Sequence, residues 1–78
     1  MKDNIVKLPC KIGDKVYEVF DNNIFEYEIY MFNIYRSEID MYCALTTPKG
    51  YARTRFAITE IGHTVFLSRE EAERKLNK

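Results

Sequence analysis

Residues 24–35 read Ile24-Phe25-Glu26-Tyr27-Glu28-Ile29-Tyr30-Met31-Phe32-Asn33-Ile34-Tyr35. Successive strand side chains point to opposite faces, so Phe25, Tyr27, Ile29 and Met31 form one apolar face against Glu26 and Glu28. The phase then changes, and Tyr30, Phe32 and Ile34 become the apolar set. A phase change inside a long strand marks a β-bulge or sharp bend. A bent strand can serve two sides of a curled sheet, which is how small barrels close. The stretch therefore predicts curvature as well as a strand.

Outward from it, turn residues punctuate the chain at Ile12-Gly13-Asp14, Asp21-Asn22-Asn23, Pro48-Lys49-Gly50 and Gly62-His63. Five strands are expected between these marks, over 15–20, 24–35, 39–46, 51–58 and 64–67. In the third, Ile39, Met41, Cys43 and Leu45 share the inward face; in the fourth, Ala52, Thr54, Phe56 and Ile58 do. A helix is expected over 68–77. Ser68 to Glu71 fits a capping box, acidic residues occupy the first turn, and basic residues follow at Arg74, Lys75 and Lys78. About ten residues are too few for a helix to stand alone, so it must dock, through Ala72 and Leu76. The expected fold is mainly β: a five-stranded antiparallel, partly open SH3-like small barrel with a short C-terminal α-helix. A plain α+β sheet with the helix on one face is the alternative. Residues 1–78 read as one domain, with 1–12 as an N-terminal extension.

The composition bounds function. The chain has 78 residues, 46% hydrophobic, with six Tyr, five Phe and no Trp. That is too apolar for an intrinsically disordered segment and too interrupted by charge for a membrane span. Twelve basic residues balance twelve acidic ones, which removes the usual driving force for non-specific nucleic-acid binding. The balance is uneven, however. Residues 1–13 carry +2, residues 14–41 carry −5 and residues 42–78 carry +3. Residues 1–9 hold no apolar run of signal-peptide length, so a cytoplasmic location is expected, with Cys10 and Cys43 as reduced thiols.

Ile12-Gly13-Asp14-Lys15-Val16-Tyr17, followed by Gly62-His63-Thr64-Val65-Phe66-Leu67-Ser68-Arg69-Glu70-Glu71-Ala72-Glu73, resembles small uncharacterised proteins of prophages and mobile elements of Gram-positive bacteria. Both segments are structural, so the resemblance implies fold and setting and carries no catalytic or binding residue. Small proteins in that setting often bind and block host machines, CRISPR nucleases and other defence systems among them.

No constellation for catalysis stands out. Glu26 and Glu28 lie two apart on a strand, about 6.6 Å by rise, which reads as a solvated face. Cys43 falls among apolar neighbours, His63 sits in a turn, and no chelating spacing suggests a metal or other cofactor. The expectation is therefore a non-enzymatic module that binds a host protein or protein complex. Its candidate surface is Tyr30, Tyr35, Arg36 and Tyr42 with a charged rim of Glu38 and Asp40, because exposed Tyr is enriched at interfaces. The alternative is a nucleic-acid contact through Lys49, Tyr51, Arg53 and Arg55, where aromatic and guanidinium groups interleave. A homodimer through a strand edge is the third. No membrane partner is expected.

Overall fold

The computed structural model describes residues 8–47 and 50–77. β1 (Lys15–Phe20), β2 (Asn23–Tyr35), β3 (Glu38–Thr47) and β4 (Gly50–Ala57) form an antiparallel meander. A 3₁₀ turn at Ile58–Glu60 leads to β5 (Val65–Phe66), which returns to pair with β1, and α1 (Arg69–Leu76) follows. The strand order is β4-β3-β2-β1-β5. The expected five strands and helix are thus present, in one sheet that curls but does not close.

The bulge lies where the phase changes. Ile29 faces Cys43 and Met31 faces Tyr42, leaving Tyr30 as the extra residue. Its effect departs from the alternation at two residues: Tyr30, expected to share a face with Phe32 and Ile34, lies instead with Tyr42 on the opposite face from Phe32, and Met31 changes face. Met31 was expected inward; the bulge sets it beside Tyr30 on the opposite face, 43% exposed, and Phe32 resumes the inward face opposite Met41. Curvature shows in a single contact. On a flat sheet Tyr27 and Phe56, two strands and about four residues apart, would be separated by about 16 Å at their Cα atoms. Their rings meet edge to face with centroids 5.4 Å apart.

One core fills the concave face. Val16, Tyr27, Ile29, Met41, Cys43, Phe56 and Val65 are buried there, with Cys10, Phe25, Phe32, Leu45 and Ile61 packed around them. Ala52, expected inward, is exposed near the end of the β4 edge, and Ile58 belongs to the 3₁₀ turn rather than to the strand. Tyr27 donates its hydroxyl to Glu18 at 2.9 Å, so a half-buried carboxylate on the same face is satisfied. Burial pushes the Cys43 thiol up to about 11, with Cys10 nearby adding to it. It is an inert core residue.

Local chemistry sets the connections. The β1–β2 loop is two residues, Asp21 and Asn22, both at positive φ; this is the I′ geometry that suits a twisted hairpin and that Asp and Asn tolerate. Asn23, expected in the turn, begins β2. The Glu60 carboxylate ties the 3₁₀ turn together, accepting from the Ala57 N–H at 3.0 Å and the Thr64 hydroxyl at 2.8 Å. The Ser68 hydroxyl accepts from the Glu71 N–H at 3.2 Å, one arm of the expected box. α1 packs on β1, β2 and β5, burying Ala72 completely.

Candidate functional site

Among the described residues, α1 packs on β1, β2 and β5 and leaves the convex face of β3 and β4 uncovered. Tyr30 is turned onto it by the bulge, and Tyr42 by strand alternation. Their rings meet edge to face at 6.4 Å. From β4, Arg53 places its guanidinium over the Tyr30 ring, 5.9 Å from the centroid. Arg55, opposite Tyr42 in the register, hydrogen-bonds the Tyr42 hydroxyl. That bond, with the Asp40 carboxylate behind it, raises the guanidinium's pKa. Together with Thr54 these residues line a shallow cleft of about 460 Å³.

The two surfaces expected separately thus share one site. Tyr30 and Tyr42 come from the acidic, Tyr-rich set, Arg53 and Arg55 from the basic strand. Asp40 is half-buried two positions from Tyr42 on β3. Tyr35, Arg36 and Glu38 lie further out, at the β2–β3 hairpin tip. There Arg36 sits 5.3 Å over the Tyr35 ring, at φ +56, and Tyr35 is 60% exposed opposite Glu38. Lys49 lies outside the described residues. Tyr51 is placed by its backbone, opposite Thr46, and its side chain lies outside them too.

Sequence reasoning missed Met31, whose thioether lies on this face beside Tyr30. The signal was the phase change itself, since the two residues of a bulge that oppose one partner residue present to one side. Glu26 and Glu28 border the site on the same face, both near Lys15 Nζ, at 3.5 and 3.9 Å. They are solvated ion-pair partners. The residues weighed for nucleophilic chemistry do not form a site: Cys43 is 0% exposed in the core, and His63 is exposed in the turn before β5.

A second opening lies on the concave side where the sheet fails to close. It is a cavity of about 330 Å³ lined by Glu18, Phe20, Phe25, Tyr27, Leu45 and Thr54. Thr54 lines both openings, so β4 stands between them. Among the described residues, no helix is long and apolar enough to cross a membrane. No protein-family model, curated protein or solved structure matches this chain.

Proposed function

We propose that this chain is a non-enzymatic protein-binding module of mobile-element type that engages a host macromolecular machine through its convex face. The reading rests on the Tyr30–Tyr42–Arg53–Arg55 cleft. Tyr, Arg and Met are the residue types enriched at the centres of protein interfaces, and here four of them are mutually braced and solvent-facing beside Met31. Bracing matters because a side chain already held loses less freedom on binding.

The same geometry weighs against the nucleic-acid alternative. Single strands bind by stacking bases on open aromatic faces; among the aromatic side chains described on this face, the Tyr30 ring already carries Arg53 on its face and Tyr42 at its edge.

Affinity capture from host lysate, with and without nuclease, tests this. The expected result is a protein recovered equally in both samples and lost, by about thirtyfold or more in affinity, with Tyr30→Ala plus Tyr42→Ala. The melting temperature of that variant should stay near the parent's. Recovery that disappears after nuclease, or that survives the double variant, would overturn it.

A further inference from the structure

The two edges of the sheet are finished differently. β5 is two residues long, and its outer rim is taken up by its own loop: the Gly62 N–H donates to the Val65 carbonyl at 2.7 Å, and Ile61 bridges Val65 in parallel. β4 runs eight residues with β3 on one side and, among the described residues, no strand on the other. It contains no proline and no inward-pointing charge, two common devices that protect an edge. The Ala57 N–H reaches the Glu60 carboxylate instead of β3. Backbone groups alternate sides along a strand, so the odd-numbered residues of β4 turn their N–H and C=O groups away from β3.

Side chains alternate to match. Arg53 and Arg55 project to the aromatic cleft, while Thr54 and Phe56 project to the concave face, where the apolar opening holds Phe20, Phe25 and Leu45. The Tyr42 hydroxyl orients Arg55, with the Asp40 carboxylate behind it on β3. Pairing of β4 with a second copy is opposed by charge. An antiparallel pair centred on Thr54 sets Arg53 of one chain against Arg55 of the other, and like charges directly across a ladder destabilise it.

We propose that β4 accepts an extended acidic segment of a partner protein as a sixth strand, with carboxylates at alternate positions over Arg53 and Arg55 and apolar side chains between them entering the concave opening. This rests on the protein-binding reading above and adds the conformation and charge of what is bound. Strand addition supplies affinity through main-chain bonds and specificity through alternate side chains.

The probe is the labelled peptide Glu-Val-Glu-Thr-Glu-Val-Glu-Thr, compared with its Lys counterpart and with a version N-methylated along one edge. The acidic peptide should bind about tenfold or more tighter than the Lys peptide. N-methylation, which keeps the charge and removes edge donors, should cost about tenfold or more. Arg55→Glu should reverse the peptide preference, and amide exchange should slow along β4. Equal binding of the N-methylated peptide, no binding by the parent chain, or slowed exchange confined to other strands would overturn the proposal, whether or not the variant folds. Capture of a host protein through Tyr30 and Tyr42 with β4 exchange unchanged would overturn strand addition alone. Peptide binding without host capture would overturn the preceding reading alone.

Discussion

The sheet has a covered end and a bare end, built from much the same residues. At the covered end α1 lies over β1 and β5, and Phe66 and Ala72 are 6% and 0% exposed. At the bare end β2 and β3 run on past the bulge, and Met31, Ile34 and Tyr35 are 43%, 51% and 60% exposed. Aromatic and aliphatic content does not separate the two ends. Among the described residues, what separates them is whether another element is placed to cover them. The covered end uses apolar area to hold the fold, and the bare end leaves it in water, where it would gain free energy only by burial against another surface.

The largest expected effect breaks that comparison at its strong side. Phe66→Ala should destabilise the chain by about 3–5 kcal/mol, against a total of about 4–12 kcal/mol for a domain of this size. Tyr35→Ala, at the other end, should change stability by no more than about 0.5 kcal/mol. Urea unfolding followed by circular dichroism measures both, with an unchanged dependence on denaturant as the control. Similar losses from the two variants would show that the hairpin tip is part of the fold and that no bare end exists.

Alkaline unfolding sharpens the contrast between the concave core and the open face. Burial and the Glu18 carboxylate push the Tyr27 hydroxyl up from 10.0 to about 12, and burial pushes Cys43 from 9.0 to about 11. Cys10 moves upward too, from burial and from Asp14. In each case the folded chain holds its proton more tightly than the unfolded one. The associated stability is complete below about pH 9 and is lost as pH rises, first through the thiols over 9 to 11 and then through Tyr27 over 10 to 12. Cys43→Ala lowers stability throughout through the space it leaves, but should flatten the first part of the fall. Stability that holds level to pH 11 in the parent would mean the core groups are far more hydrated than their positions indicate.

The strands were legible because β propensity, turn residues and face alternation agree along residues 15–57. The register of burial was legible on β3, where Met41 and Cys43 are both buried as the alternation requires. It failed at Met31, because alternation says that phase changes within residues 29–32 without saying which residue is extra; the pairing of Met31 with Tyr42 settles that. The site was legible as residue types and not as a place. Tyr30 and Arg53 are 23 positions apart, and only the β2-β3-β4 order, with the bulge, sets one over the other. Edge blocking at β5 was not legible at all, since it rests on a main-chain bond from Gly62 that any residue able to take that backbone shape could make.

The smallest expected effect concerns Arg36, and its smallness is informative. At φ +56 a non-glycine residue carries a steric cost of about 1–2 kcal/mol, which Arg36→Gly relieves. Glycine also gives the unfolded chain more freedom, worth about 0.4–1 kcal/mol, and the exposed contact with the Tyr35 ring, worth about 0.5–1 kcal/mol, is lost. These terms nearly cancel, so thermal unfolding should move by less than about 0.5 kcal/mol in either direction. Partner capture should nonetheless weaken, by about threefold, because Arg36 and Tyr35 lie at the outer margin of the convex face. A clear gain in stability with capture unchanged would make Arg36 a strained turn residue and would draw the boundary of the binding surface inward to Tyr30 and Tyr42.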